Sequence, residues 1–333
     1  MVEIDFAVGR TILDDELNRF MDPYRVAVDW GRSVFYVHDS EEPEGIMAFS
    51  LTDGQWLRTI STPTGEGPYE FPRGRQGMAV TPSGGLFVSG FRLIVEFDPG
   101  GVAVNSWHPQ SLVTSEVCNF GGAPAIPAQG GVVWRGTDGT DEYIGRDSPS
   151  LVGNRATVAG IATARIACTD DRAYLVTSSP VVGMDSVFVY RRSGGYEAVA
   201  LPTEGIEGMM ECRAQGNQLQ RGACSVALYN LFPSLDDRGN LVLLGPDTEV
   251  HGVIIAPDTG CYALVRNATK YRHTPVGIRG DSVLVFHNDY LEREVNGRTV
   301  TSYRDHANKV SMHPLRRVGG EPCDGLLHSL GGP

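Results

Sequence analysis

Residues 65–91 read GEGPYEFPRGRQGMAVTPSGGLFVSGF, a turn-rich segment that runs into two short apolar strands. Glycine and proline mark turns, and the short β-branched and aromatic runs after them are typical of strands. The part from Gly84 to Gly90, GGLFVSG, has counterparts along the whole chain, each preceded by a polar or glycine-rich turn. They are SVFYVHD from Ser33, GVVWRG from Gly131, RAYLVTS from Arg172, NLVLLG from Asn240 and SVLVFHN from Ser282.

These six units recur at a regular interval. Four-stranded propeller blades repeat every ~40 to 50 residues, and a strand precedes each anchor turn while two more follow it. Four-stranded sheets in a radial arrangement bury both faces and leave only short edges. The sequence therefore predicts an all-β fold, a six-bladed β-propeller with four-stranded antiparallel blades. The anchors Val34, Leu86, Val132, Ala173, Leu241 and Val283 are separated by 52, 46, 41, 68 and 42 residues.

A single propeller domain is predicted over residues 1–333. In the sixth unit, YLEREVN and RTVTSY meet at Asn296-Gly297, a pair suited to a tight hairpin, and are assigned as its last two strands. Either VEIDFAV at the start or the tail after Asn308 is expected to add a strand across the seam between the first and last blades. The predicted blades are roughly 22–62, 76–108, 123–158, 161–202, 227–268 and 274–306, with an inserted loop at 203–233 and a tail at 307–333.

The opening stretch also resembles a known repeat family. GEGPYEF, a polar gap, GMAVTPSGGLFVSGF and LIVEFDPGG are similar in order to one repeat of the NHL-type six-bladed propellers, where a Gly-Pro-Glu-Phe-like loop precedes the innermost strand. From the residues alone, this loop is interpreted as a structural connector between two blades. Enzymatic six-bladed relatives, gluconolactonase-like and strictosidine-synthase-like proteins, place a glutamate or Asn and Asp ligands at the inner strands. This chain has Arg25 in DPYRVAV instead, which counts against lactonase chemistry.

Composition excludes several classes of function. The net charge of -12 argues against nucleic acid or anionic lipid as the main partner, since both favour clustered lysine and arginine. No apolar run approaches the ~18 residues of a membrane helix. The start, MVEIDFAVGR, lacks the pattern of a signal peptide, so any leader is expected to be absent from this sequence. A monomer is expected.

Cysteine usage favours an oxidising compartment. The six cysteines show no CxxC pair and no zinc-type spacing. Cys212 and Cys224 flank a polar loop within the long fourth interval, and we expect a disulfide there that rigidifies the loop as a lid over the channel face. The alternative is that both are ordinary buried thiols. Met209 and Met210 in this loop are expected to pack on the propeller or on a partner. An even count in a loop-rich β fold indicates an extracytoplasmic, periplasmic or secreted protein. The sequence leaves the pairing of Cys118, Cys168, Cys261 and Cys323 open.

A ligand site is expected where the inner strands begin, around the mouth of the central channel. Basic and amide side chains would converge there, a set suited to a carboxylate, a phosphate or an acidic peptide end. The alternative is that the acidic loops 39–45, 137–142 and 246–251 neutralise this ring. The predicted ligand-binding residues are Arg25, Arg73, Arg75, Gln76, Asn119, Arg165, Tyr229, Asn230 and His273.

Catalytic signals are sparse. His38, His251 and His287 adjoin second strands and could meet at the same mouth, which would suit a metal or a general base. The acidic loops offer the oxygen ligands that calcium prefers, but none has a complete DxDxDG pattern, and no cofactor is predicted. The first hypothesis is therefore an extracytoplasmic binding protein for a small anionic molecule or a peptide or protein partner. The alternative is a metal- or histidine-dependent hydrolase or lyase on the same face.

Overall fold

The computed structural model is built from strands throughout the residues it describes, which contain no helix able to span a membrane. Four of its sheets are four-stranded and antiparallel, and in each the strands follow one another in chain order. The described residues are 1–14, 23–39, 45–72, 75–110, 116–128, 131–145, 165–176, 186–200, 232–244, 250–266, 273–287, 290–295, 298–303 and 309–318.

Each of these four sheets comes from one continuous part of the chain. The first sheet contains β3 (Pro23–Asp29), β4 (Val34–Asp39), β5 (Gly45–Ser50) and β6 (Trp56–Ser61). The second contains β7 (Arg75–Val80), β8 (Leu86–Gly90), β9 (Leu93–Phe97) and β10 (Ala103–Trp107). The third contains β11 (Cys118–Phe120), β12 (Ala123–Ala128), β13 (Gly131–Arg135) and β14 (Asp141–Ile144). The fourth contains β15 (Arg165–Cys168), β16 (Arg172–Val176), β17 (Ser186–Arg191) and β18 (Tyr196–Ala200).

The remaining strands form a nine-stranded sheet and a separate hairpin. The nine-stranded sheet begins with β19 (Phe232–Leu235), β20 (Leu241–Leu244), β21 (Val250–Ala256) and β22 (Cys261–Arg266). Its other half contains β23 (His273–Arg279), β24 (Ser282–His287) and β27 (Lys309–Arg317). Two strands from the start of the chain complete it, β1 (Val2–Ile4) and β2 (Arg10–Asp14). The hairpin pairs β25 (Tyr290–Val295) with β26 (Arg298–Tyr303).

The start of the chain therefore joins its far end. β2 pairs antiparallel with the first half of β27, so that Arg10 faces Met312. β1 pairs antiparallel with the second half of β27 and parallel with β22, which merges the two halves into one sheet. Val2 and Ile4 are 1% and 2% exposed, which places β1 in the core, whereas β2 is largely exposed and buries Ile12.

The sheets pack as a β-propeller. The first strand of each group (β3, β7, β11, β15, β19 and β23) contacts the first strand of the next, and β23 contacts β3 again. The hydrophobic core lies between neighbouring sheets, where residues from the first and second sheets form one cluster around Phe71 and Tyr36. The second strands are the most buried elements, and β8 is buried at every position.

The opening loop is a structural connector in this fold. The Glu70 carboxylate accepts a hydrogen bond from the Gly67 amide at 2.9 Å, which folds the loop back on itself. The Phe71 amide donates to the Pro63 carbonyl at 2.9 Å, and its ring is fully buried between the first two sheets. The proline and glycine residues thus carry the chain from β6 to β7 while Phe71 anchors the crossing.

The sheets differ from the sequence-based division in two places. The third sheet spans 118–144 rather than 123–158, because APAIPA forms its second strand β12 and GVVWR becomes the third strand β13. The strand that the sequence missed is β11, whose three residues CNF carry too little pattern to be recognised, and this explains the shift by one strand. The predicted sixth blade, 274–306, differs as well. Residues 290–303 form a separate hairpin, and β27 and β2 supply the third and fourth strands of the blade after β23 and β24.

Arginine side chains link neighbouring sheets at one end of the molecule. This end is opposite to the one where the first strand of each sheet begins. Arg32 donates to the Pro82 carbonyl at 3.0 Å and also pairs with Asp29 at 3.2 Å. Arg192 donates to the carbonyls of Phe120 and Gly121, at 3.3 Å each, and its guanidinium lies over the Phe120 ring. A guanidinium carries several donors in a planar fork and can stack on a ring, whereas an ammonium cannot.

Tyr36 provides a test of the contact between the first two sheets. Its hydroxyl donates to the Gly84 carbonyl at 3.1 Å, and burial raises the pKa of this phenol above its ordinary value of 10.0. The neutral phenol therefore stabilises the fold below pH 10.0, and this contribution is lost as the pH rises further. We expect Tyr36→Phe to cost about 1–3 kcal/mol near neutral pH and to lose less stability than the wild type on going to strongly alkaline pH. Urea unfolding at both pH values checks this, and equal alkaline losses would contradict it.

Candidate functional site

The candidate site lies at the end of the sheets where the first strands begin and the second strands end, called here the entry face. Antiparallel pairing brings these ends together, as in Arg25 with His38, Arg75 with Gly90 and His273 with His287. Loops join the strands at this face, and loops set on a rigid sheet are common positions for binding groups.

Two arginines from different sheets meet on one carboxylate at the entry face. Arg25 is on β3, Arg165 begins β15, and Glu116 lies two residues before β11. Arg25 Nη2 lies 3.1 Å from Glu116 Oε1, and Arg165 Nη1 forms an ion pair with the same oxygen. This arginine cluster, Arg25, Glu116 and Arg165, connects the first, third and fourth sheets.

The arginine cluster is largely shielded from water. The side chains of Arg25, Glu116 and Arg165 are 9%, 14% and 18% exposed. Charge-assisted hydrogen bonds are strong in such surroundings, because the local dielectric is lower than that of water. Removing one partner from a buried pair leaves an uncompensated charge and is costly. The arrangement can therefore hold a carboxylate or a similar anion in a fixed position.

A disulfide links the strands next to Glu116 and Arg165. Cys118 and Cys168 are bonded, with Cα atoms 5.6 Å apart, and they link β11 to β15. Cys118 is two residues after Glu116, and Cys168 is three residues after Arg165. The bond therefore links the two backbone segments that carry the ion pair, within three residues of each charged side chain. Cys261 is disulfide-bonded as well.

Two further polar side chains are buried at the end of β4, at the entry face. His38 faces Arg25 in the strand register and is 7% exposed. Asp39 follows it at 1% and faces Pro23 in the register. His38 therefore lies next to Arg25 in the sheet.

A second polar group involves His287, Ser311 and His313. His313 Nδ1 lies 3.3 Å from the Asp5 carbonyl oxygen and 3.2 Å from that of Val8, so this nitrogen carries a proton. In the neutral ring, Nε2 then accepts from the Ser311 hydroxyl at 2.7 Å, and Ser311 Oγ accepts from His287 Nε2. Ser311 and His313 are 2% and 6% exposed, so this relay holds the N-terminal segment on β27 and offers no reachable nucleophile.

The structure brings two of the predicted residues together. Arg25 and Arg165 meet on Glu116, while Asn119 accepts a hydrogen bond from the Gly122 amide at 3.0 Å and caps the turn after β11. His38 lies near Arg25, whereas His287 belongs to the relay. Arg75, Gln76, His251 and His273 lie on described strands at the entry face. The predicted residues Arg73, Met209, Met210, Cys212, Cys224, Tyr229 and Asn230 lie outside the described residues.

The observed partner of the two arginines is a carboxylate outside the acidic loops. The alternative from the sequence named the loops 39–45, 137–142 and 246–251, whereas Glu116 from SLVTSEV makes the ion pairs. Residues 40–44 and 246–249 lie outside the described residues. Asp138 bonds with Thr140 in its own turn, and Asp141 accepts a hydrogen bond from Trp107 Nε1 at 2.9 Å. Within the described part of the chain, no group of three His, Cys, Asp or Glu side chains is placed to hold a metal ion.

Comparison with known proteins shows likeness in fold alone. No family model matches the chain, and no curated protein matches it. A protein of unknown function from Bacteroides thetaiotaomicron has a TM-score of 0.52 at 10% identity, over 94% of this chain and 73% of that one. An extracellular domain from the same species gives 0.47 at 13%, over 89% and 35%. The WD40 domain of Neurospora crassa Pan2 gives 0.41 at 9%, over 86% and 73%. The chain therefore shares its overall architecture with a solved structure of very different sequence, the Bacteroides thetaiotaomicron protein of unknown function.

Proposed function

We propose that this chain is a six-bladed propeller of NHL-like repeats that acts as an extracytoplasmic binding protein, with a site for an anionic group at its entry face. The cycle of six first strands supports the blade count, with β1 and β2 closing the ring. The ligand is a small anionic molecule or the acidic part of a peptide or protein partner.

The observation that carries the binding site is the convergence of Arg25 and Arg165 on one carboxylate oxygen. Two guanidinium groups from separate sheets do not meet by local sequence preference, and their burial is costly without an anion. The geometry suits recognition of a carboxylate or phosphate, for which arginine is the usual residue. Propeller folds host many functions, so the site rather than the fold supports this proposal.

The disulfides support the proposed location. Disulfides persist in oxidising compartments and are rare in the cytosol. Cys118–Cys168 lies within the central ring of first strands, and Cys261 adds a second bonded position. A protein with such bonds in its core is suited to the periplasm or to the outside of the cell.

Anion binding is tested by thermal stability at constant ionic strength. Citrate or phosphate, replacing chloride, is expected to raise the Tm of the wild type, because a ligand that binds only the folded state stabilises it. Arg165→Ala is expected to weaken the effect, whereas Arg191→Ala, in an exposed pair with Glu197, is expected to leave it unchanged. An equal response of all three proteins, or none in any of them, would refute the site.

A further inference from the structure

We propose that Glu116 is an internal occupant of the anion site, and that the carboxylate of a ligand takes its place on Arg25 and Arg165. This inference rests on the proposed function and names its ligand class as a carboxylate. The bound state of the site is then already visible in the structure, with the protein's own side chain in the position of the ligand.

The contacts of Glu116 match those expected for a bound ligand. Both arginines contact the same oxygen, Oε1, and they approach it from the first and fourth sheets. Glu116 belongs to neither sheet and reaches the pair from the segment before β11. Two guanidinium nitrogens that share one oxygen lie within about 6 Å of each other and repel without an anion between them. A carboxylate at this point therefore offsets the repulsion between the two arginines.

Glu116 is also placed to leave the site without disturbing the fold. Arg25 and Arg165 are on strands, whereas Glu116 precedes the strand β11. Cys118–Cys168 holds β11 against β15, so that the backbone on both sides of the site keeps its position when the glutamate side chain moves. The side chains of Glu116 and Arg165 are 14% and 18% exposed, which gives a small solute contact with the cluster.

An occupant held by the chain competes with every incoming anion. The apparent affinity of a ligand falls by the fraction of molecules in which the site is free. Glu116 therefore sets the specificity of the site, because only an anion that makes contacts beyond those of a simple carboxylate can displace it. Removing the glutamate carboxylate is expected to convert the site into one that accepts simple carboxylates.

The first experiment uses Glu116→Ala and acetate as the probe. The variant is expected to melt below the wild type in chloride, because its two arginines lose their shared carboxylate. Acetate at the same ionic strength is expected to raise its Tm, in proportion to the logarithm of concentration at high acetate, and to shift the wild type much less. Glu197→Ala, which removes a carboxylate from the exposed pair with Arg191, is the matched control and is expected to show no acetate response.

A second variant keeps the test open if Glu116→Ala does not fold. Glu116→Gln preserves the shape of the side chain and removes its charge, so it is expected to bind citrate about tenfold more tightly than the wild type by calorimetry. Weaker citrate binding by Glu116→Gln than by the wild type would overturn this inference, and so would the absence of acetate rescue in a folded Glu116→Ala. In either case, citrate binding by the wild type would still support the proposed function. No citrate binding by the wild type or either variant would overturn both.

Discussion

Deletion of residues 1–14 is expected to abolish cooperative folding, although these residues are only a small part of the chain. They supply β1 and β2, which cover one side of β27 and join it to β22. The deletion removes the buried side chains of Val2, Ile4 and Ile12, each worth about 1.5–3 kcal/mol, from a fold whose total stability is about 5–15 kcal/mol. Circular dichroism and size-exclusion chromatography would show a broad, shallow transition and aggregation through the exposed edge of β27.

The matched control replaces residues 290–303 by a short glycine-serine linker. These residues form the hairpin of β25 and β26, which pairs with neither β24 nor β27 among the described strands. His287 and Lys309 face each other in the strand register, so a few residues can connect them. We expect this variant to melt cooperatively near the wild-type temperature. If it aggregated while the protein lacking residues 1–14 stayed folded, the hairpin rather than the N-terminal strands would complete the sheet.

Loss of the Cys118–Cys168 bond is expected to have the second-largest effect. The bond closes a loop with a sequence separation of 50 residues, and closure of such a loop corresponds to roughly 4 kcal/mol in the chain-entropy view. Cys118→Ala with Cys168→Ala removes the bond and keeps both positions apolar within the core of the third and fourth sheets. Denaturant unfolding without reductant measures the loss. Oxidised wild type and double variant of equal stability would contradict the prediction.

Mass mapping of unreduced peptides provides the chemical control for this experiment. It is expected to recover the linked peptides of Cys118 and Cys168 from the wild type and to lose them in the double variant. The same map tests the predicted bond between Cys212 and Cys224, which lies outside the described residues. Free thiols at Cys212 and Cys224 would remove the basis for a rigid lid at residues 203–233.

Much of the fold was visible in the sequence because four of the sheets are each formed by strands that follow one another in the chain. Short runs such as GLFVSG and LIVEF, separated by turns, predicted four strands in order for the second unit, and β7–β10 follow it. CNF, the three-residue strand β11, was missed, so the predicted third sheet began at APAIPA and was displaced by one strand. Local pattern is reliable where a strand is long enough to show alternation and fails where the strand is very short.

The sixth unit shows that local pattern cannot predict pairing between distant segments. YLEREVN and RTVTSY were correctly predicted to form a hairpin, but the sheet uses β27 and β2 in their place. The hairpin signal is contained in a few adjacent residues, whereas the pairing of Arg10 with Met312 leaves no trace in either segment alone. Ser311 and His313 were missed for the same reason, since the segment that contains them was taken as a tail.

Two residues of the arginine cluster were among those named from the sequence. Arg25 and Arg165 were named because each lies near the start of an inner strand, a position fixed by the repeat. Glu116 was missed because it precedes β11, a strand of only three residues with little pattern of its own. Its three-dimensional position depends on how the third and fourth sheets meet at Cys118–Cys168, and the sequence left that cysteine pairing open.

The position of β1 has a consequence for how the protein is made. Glu3 and Arg316 form an ion pair across 313 residues of sequence, and the strands that contain them cannot pair until both have left the ribosome. Contacts so distant in sequence slow folding, because a long loop must close before they form. The four continuous sheets can form as they are synthesised, while the edges of the nine-stranded sheet wait for β27. During that interval the unfinished chain exposes apolar strands, and a chaperone that shields them is expected to raise the yield of folded protein.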